Sequence, residues 1–244
     1  RKRHKIILMM DLGDIREGYV DEEELIAAAV ETEKLSHVDL YGIGTNLTCF
    51  SFIQADEEKM ERLAEMRRKV ENAAGHTLEI VSGGNSAALD LMMRGGICEG
   101  IDSFRLGESL LFGKERSRYT FLPGTRNDGF ILECEVVEAK VKPSLPWGTT
   151  GVDSYGRKPV FTNRGEKRKK VICAIGRQDF DAETTTPVDE GILILGASSD
   201  HLILDVTDSV KEYKVGDIVE LRLGYFSVLR AFTSPYVEKI FLKK

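Results

Sequence analysis

Several features are scarce in this 244-residue chain, and each scarcity removes a class of function. Its only cysteines, Cys49, Cys98, Cys134 and Cys173, are scattered and form no CxxC pair. That excludes a disulfide framework and fits reduced, mostly buried thiols of a cytosolic protein. The only histidines, His4, His37, His76 and His201, never fall at ligand spacing, so no metal centre is expected. No apolar stretch approaches the roughly 20 residues of a membrane span. The basic opening Arg1-Lys2-Arg3-His4 runs through a short apolar stretch into Asp11, too soon for a secretory signal, and a cytoplasmic location is expected. A strong excess of one charge is also missing: the formal net charge of −6 is spread along the chain and leaves no nucleic-acid footprint. The one basic run, residues 164–170, leads straight into Val171-Ile172-Cys173-Ala174-Ile175 and reads as a solvated strand entrance. There is no internal repeat and no low-complexity segment.

What is present is a regular alternation in the first half. Residues 5–10 form a continuous apolar run suited to a strand buried on both faces. Residues 21–34 carry helical periodicity in Leu25, Ala28 and Ala29 behind an acidic first turn. Strands are predicted at 38–43, 78–81 and 103–106, and helices at 56–74 and 86–93. Strand, helix, strand in succession means parallel pairing, either in an open sheet or in a barrel. Polar and glycine-rich punctuation follows each strand: Asp11-Leu12-Gly13-Asp14, Gly44-Thr45-Asn46, Ser82-Gly83-Gly84-Asn85 and Gly107-Glu108. Chemistry at the carboxyl ends of parallel strands is the rule for both architectures. From about Asp128 the grammar changes to short β-branched or alternating runs at 130–141, 170–175, 191–195, 201–206, 217–223 and 237–242, separated by Pro, Gly and Asp turns. Two domains follow, 1–127 of α/β type and 128–244 of all-β type. A complete eight-strand barrel takes about 250 residues by itself, so the first domain is either an open sheet or part of a barrel.

Two of the strand exits, Val81-Ser82-Gly83-Gly84-Asn85-Ser86 and Phe104-Arg105-Leu106-Gly107-Glu108, stop in small residues before a helix. Such turns leave free amides and a hydroxyl where a phosphate can sit. Ser86 could equally be a plain helix cap, and the two roles are compatible because both use the same donors. Arg105 lies between apolar residues in a predicted buried strand, where a cation needs a partner. Arg16, beyond the first strand, offers a planar, always-charged group that could hold a ring hydroxyl or a carboxylate.

At these residues the chain resembles the fold-type III pyridoxal-phosphate racemases, the alanine racemase superfamily, and within it the ornithine racemase-like branch. The likeness runs through Asp11 to Gly18, Tyr41 to Cys49, Ser82 to Ser86 and Arg105 to Glu108. It continues in Gly156 to Phe161, Ile175 to Asp179, Leu195 to His201 and Thr233 to Val237. The resemblance implies a (β/α)8 barrel, here partial, followed by a C-terminal β domain, and a homodimer in which each β domain completes the partner's site. It implies pyridoxal 5'-phosphate as cofactor, with Ser86 and the backbone of Gly107 and Glu108 on the phosphate. Arg105 would face the pyridine nitrogen, Arg16 would lie near the ring hydroxyl, and Asn46 would support the ring in place of the family's stacking histidine. Ser199 with Asp200 would reach the substrate carboxylate, and Tyr155 would serve as the opposite-face base.

The implied activity is amino-acid racemisation, on ornithine or a similar amino acid, by two-base exchange of the α-proton. An acidic residue such as Glu108 or Asp179 could meet a distal ammonium. The family's Schiff-base lysine follows the first barrel strand, and no lysine here matches it, so a chain lacking its N-terminal portion is expected. Alternatives are an alanine racemase-type enzyme for another amino acid and a non-catalytic cofactor-binding protein, which the β domain disfavours. A metal-assisted aldolase of the same fold is disfavoured by the missing ligands.

Overall fold

Met60, Leu63, Met66 and Val70 recur every three or four residues and are all buried, which makes Glu57–Ala74 an amphipathic helix with one face committed to a core. The computed structural model describes residues 2–153 and 156–242. The chain divides into two compact units, Arg1–Arg126 and Asn127–Lys244.

In the first unit the elements run β1 (His4–Met10), α1 (Glu22–Glu33), β2 (Val38–Thr45), α2 (Glu57–Ala74), β3 (Ile80–Asn85), a 3-10 turn (Ser86–Ala88), α3 (Leu89–Met93), β4 (Ser103–Arg105) and α4 (Glu108–Phe112). The strands form one parallel sheet in the order β1-β2-β3-β4. This is a partial (β/α) barrel. Both long helices start on an aspartate cap: Asp21 accepts from the Glu24 amide and Asp56 from the Lys59 amide, each at 2.9 Å. Gly75, at φ 78°, stops α2 in the left-handed conformation. Leu25 and Ala29 of α1 join the α2 face, Leu40, Ile43 and Val81 in a single core. Strands β2 and β3 approach closely at Gly42, where an added Cβ would stand 2.1 Å from the Ile80 carbonyl oxygen.

Two local expectations are corrected. The strand predicted at 78–81 begins two residues later and runs on through Asn85, so the Ser82-Gly83-Gly84-Asn85 stretch is the strand's end and not a turn after it. Gly84 at φ 117° and a register shift between Ser82 and Asn85 absorb the irregularity. The apolar run of β1 is only half-buried over Ile6 to Met9, because β1 is an edge of the described sheet and pairs with β2 alone.

The second unit holds β5 (Ile131–Lys142), β6 (Arg168–Cys173), β7 (Thr185–Pro187), β8 (Leu193–Ala197), β9 (Leu202–Asp205) and β10 (Ile218–Leu223), then α5 (Tyr225–Thr233). They form a six-stranded antiparallel sheet in the order β7-β10-β5-β6-β9-β8. Alternation sets its core: Leu132, Cys134 and Val136 of β5 and Val219, Leu221 and Leu223 of β10 all face inward. The basic run enters β6, with Arg168 on Asp205 at 2.8 Å and on Asp208 at 2.7 Å. The strand predicted at 237–242 does not form, and Ile240, Phe241 and Leu242 are exposed. The short strand β7 and helix α5 were not predicted: a three-residue strand carries too little alternation to register, and α5 follows β10 after only Gly224. Among the described residues no helix is long and apolar enough to cross a membrane.

Candidate cofactor site

The parallel strands place their carboxyl ends on one side, and each hands its last residues to a polar loop. Beyond β1, Asp11 Oδ1 accepts from the amides of Gly13 at 2.8 Å and Ile15 at 3.1 Å, curling the loop that carries Arg16. Arg16 is partly exposed and held by both oxygens of Glu17, with Nη2 at 2.7 Å. Asp14 is buried between this loop and the one after β2. It accepts from the amides of Ser51 at 3.0 Å and Phe50 at 3.2 Å, from the Ser51 hydroxyl at 3.1 Å and from Asn46 Nδ2 at 3.3 Å. Burial pushes its carboxyl up, but the Ser51 and Phe50 amides with the Ser51 hydroxyl outweigh it and hold it below the ordinary range.

Asn46, the residue after β2, is buried and stands at the centre of the cluster. Its Oδ1 accepts from Asn85 Nδ2 at 3.0 Å and from Arg105 Nη2 at 3.4 Å. Arg105 also donates from Nη2 to the Thr45 carbonyl at 2.9 Å and from Nη1 to the Ser82 hydroxyl at 2.6 Å. Arg105 as a whole residue is exposed, since β4 is the other edge of the sheet, but its guanidinium is partly desolvated, which draws its pKa down, and its partners are neutral oxygens of β2 and β3 instead of a carboxylate. The Thr45 hydroxyl is buried with no hydrogen-bond partner among the described residues.

Ser86 does not cap its own turn. Asn85 does, its Oδ1 accepting from the Ala87 amide at 2.8 Å. The Ser86 hydroxyl is free to reach the start of α4, where it accepts from the amides of Gly107 at 3.3 Å and Ser109 at 3.2 Å. Gly107, Ser109 and Ser86 thus come together from two strand exits, with Glu108 between them. Glu108 turns its side chain to Arg116 Nε at 3.4 Å, and burial pushes its carboxyl above the ordinary value. The following loop is held by buried Glu115, which accepts from the amides of Ser117 and Arg118 at 2.8 Å and of Thr120 at 3.2 Å.

Of the expected site residues, Arg16, Asn46, Ser86, Arg105, Gly107 and Glu108 all lie at the strand ends of the first unit. Ser199 and Asp200 lie in the second, between β8 and β9. There Asp200 Oδ1 accepts from the Ser198 hydroxyl at 3.1 Å and the Ser199 hydroxyl at 3.2 Å and meets His201 Nδ1 at 3.0 Å. His201 first, then Ser198, draws the Asp200 carboxyl below its usual value. Tyr155 lies outside the described residues. Asp179 is buried and committed to the Ser234 hydroxyl at 2.6 Å, which joins two sequence blocks into one structural pair and leaves that carboxylate unsuited to greet an ammonium. The residue-type reading missed Asp14, Thr45, Ser82 and Ser109 as individual members of the cluster. Their signal was only their place beside the strand ends.

Hydroxyl, amide and guanidinium donors gathered at the carboxyl ends of parallel β–α strands are the arrangement of a barrel-type protein, and donors of this kind suit an anion. The comparisons sharpen that class. The family described as alanine racemase, N-terminal domain, matches residues 1–115. Over 238 residues the chain is 46% identical to the ornithine racemase of Acetoanaerobium sticklandii, covering 98% of this chain and 67% of that one. Over 241 residues it is 42% identical to the lysine racemase of Thermotoga maritima, covering 99% and 66%. The alanine racemase of Streptomyces lavendulae has the same fold with a TM-score of 0.62 at 18% identity, covering all of this chain and 67% of that one. The chain belongs to the alanine racemase family, a family of pyridoxal-phosphate enzymes. It spans about two thirds of the length of the curated relatives it matches.

Proposed function

We propose that this chain is part of a pyridoxal-phosphate-dependent amino-acid racemase acting on ornithine or a similar basic amino acid. The observation that carries the reading is the convergence of Arg105, Asn46 and Arg16 at one end of the sheet with Ser86 and Gly107 beside them. Neutral amides, hydroxyls and guanidiniums suit a phosphate and a ring hydroxyl and make a poor metal site. The unpartnered Thr45 hydroxyl and the donor-rich Arg16–Asn46 edge, with Arg16 Nη2 3.2 Å from the Asn46 side-chain nitrogen, leave polar groups for a ligand to satisfy. The two named relatives, an ornithine racemase and a lysine racemase, support a basic amino-acid substrate.

Bound pyridoxal phosphate would supply the electron sink that makes an amino acid's α-proton removable. Ser86, with the backbone of Gly107 and Glu108, would hold the phosphate. Arg105 donates and never accepts, so facing the pyridine nitrogen it would leave that nitrogen unprotonated and limit the sink. Arg16 and Asn46 would serve the ring hydroxyl. The segment of Ser199 and Asp200 would reach the substrate carboxylate in a homodimer with shared sites, and Tyr155 would exchange the proton on one face while a second base works on the other.

The test is a racemisation assay of the intact protein on both enantiomers of ornithine, lysine and alanine. The expected result is interconversion of ornithine or lysine that disappears on cofactor removal and returns on its addition. Protein that holds the cofactor yet racemises no amino acid would overturn the assignment.

A further inference from the structure

We propose that Asp14 is a positioning residue: by accepting from Asn46 Nδ2 it fixes the Asn46 amide with its oxygen toward Arg105 and its nitrogen on the Arg16 side. The consequence for the cofactor rests on the racemase reading above.

An asparagine amide has two orientations of nearly equal shape, and its neighbours choose between them. Here the choice is made from two sides. Asn85 cannot turn, because its Oδ1 accepts from the Ala87 amide at 2.8 Å and its Nδ2 donates to the Leu47 carbonyl at 3.0 Å. That Nδ2 therefore faces Asn46 as a donor at 3.0 Å and asks for oxygen. On the other side Asp14, buried and held in its ionised, acceptor-only form by four donors, asks for nitrogen.

Turned over, Asn46 would put its oxygen 3.2 Å from Arg16 Nη2 and 3.3 Å from the Leu47 amide, and set its nitrogen against Asn85 Nδ2 at 3.0 Å, donor to donor. It would then satisfy Arg16 itself and withdraw its oxygen from Arg105, which keeps its bonds to Ser82 and Thr45. In the orientation Asp14 selects, Asn46 Nδ2, which donates to Asp14, and Arg16 Nη2, which donates to Glu17, stand 3.2 Å apart, and each nitrogen carries a second N–H. Two such donors suit a single anionic oxygen, and the ring hydroxyl of pyridoxal phosphate is one.

The intact protein is compared with Asp14→Ala, Asp14→Asn, Asn46→Ala and the Asp14→Ala/Asn46→Ala double variant. Two readouts are taken: the Asn46 side-chain amide signals in a proton–nitrogen NMR spectrum of cofactor-free protein, and equilibrium titration with pyridoxal phosphate followed by the absorption band of the bound form. Asp14→Ala is expected to shift or broaden the Asn46 amide signals, to move the absorption band, and to weaken cofactor binding roughly tenfold. In the Asn46→Ala background the same substitution should cost less than about twofold, since coupled residues are non-additive. Asp14→Asn, which keeps the volume but can present a donor, carries the same comparison if Asp14→Ala is insoluble. Ser51→Ala, which removes another Asp14 contact, should leave the band in place. An unmoved Asn46 signal in both Asp14 variants, or losses that multiply in the double variant, would overturn the proposal. Wild-type protein that takes up no cofactor would instead sink the racemase reading, while the NMR comparison still decides the role of Asp14.

Discussion

The hydroxyls of Ser86 and Ser109, one beyond β3 and one in α4, lie 3.0 Å apart, and the Ser86 oxygen also takes the Ser109 amide at 3.2 Å. Two strand exits separated by more than twenty residues are thereby joined through one buried side chain. This is possible because Asn85 takes over the capping task and leaves Ser86 nothing to do in its own turn.

Ser86→Ala should therefore have two separable effects. Leaving the buried Ser109 amide, and the part-buried Gly107 one, without this acceptor costs about 1–2 kcal/mol of stability, read by chemical denaturation. Binding of pyridoxal phosphate should weaken roughly tenfold, while binding of pyridoxal, which has no phosphate, should change little. Equal losses for both ligands would move the phosphate elsewhere.

Arg105→Glu reverses the charge opposite the pyridine nitrogen and replaces a donor by an acceptor. A carboxylate would favour a protonated ring, so racemisation should fall at least about tenfold, and transamination should rise as a share of product. The bound cofactor's absorption spectrum should change with it. An unaltered product ratio and spectrum would show that Arg105 does no more than tie β4 to Ser82 and Thr45.

In the second unit, Gly176 is pressed against the backbone that carries Ser199 and Asp200. An added Cβ would stand 2.2 Å from the Asp200 nitrogen and 2.4 Å from the Ser199 carbonyl carbon. The Arg177 and Gln178 amides bind the carbonyls of Ser198 and Ser199 at 2.8 and 3.0 Å, so the two turns move together. Gly176→Ala should cost about 1–3 kcal/mol of stability and displace the Ser199 segment. If that segment meets the substrate carboxylate, KM should rise more than kcat falls. A variant as stable as the parent would mean the turn relaxes freely.

Much of this was legible in residue order because the signals are local. Asp21 and Asp56 announce their helices, the four-residue spacing of Met66 and Val70 announces a buried face, and alternation in Leu132, Cys134 and Val136 announces β5. That Arg16, Asn46, Ser86 and Arg105 stand at strand exits was legible too, because the strands of a parallel β–α pattern and the loops after them can be read in order. What was hidden depends on partners distant in sequence. Asp14 reads as another polar loop residue until Phe50 and Ser51 fold onto it, and Asp179 reads as a free carboxylate until Ser234 closes over it. Where β3 ends is equally a tertiary matter, since pairing with β4 at Asn85–Arg105 carries it through two glycines that read as a turn.

The β unit should also show a defined acid limb. Asp205 is only 1% exposed and binds Arg168 Nε at 2.8 Å, the Thr207 hydroxyl at 2.7 Å and the Thr207 amide at 3.0 Å. Burial alone would raise its carboxyl, but the Arg168 and Thr207 hydrogen bonds prevail and hold it below its ordinary 3.8. A carboxyl whose pKa is lower folded than unfolded stabilises the fold fully above the unfolded value. That contribution is lost as pH falls from about 4 through the lowered folded value. Arg168→Ala removes the cation while Asp205 stays buried, so the folded pKa should rise and the acid unfolding midpoint should move to higher pH. Circular dichroism followed from pH 7 to pH 2 measures both midpoints. The shift should be absent from Lys169→Ala, whose partner Glu212 is exposed, and a midpoint that Arg168→Ala leaves unmoved would show that Thr207 alone keeps Asp205 ionised.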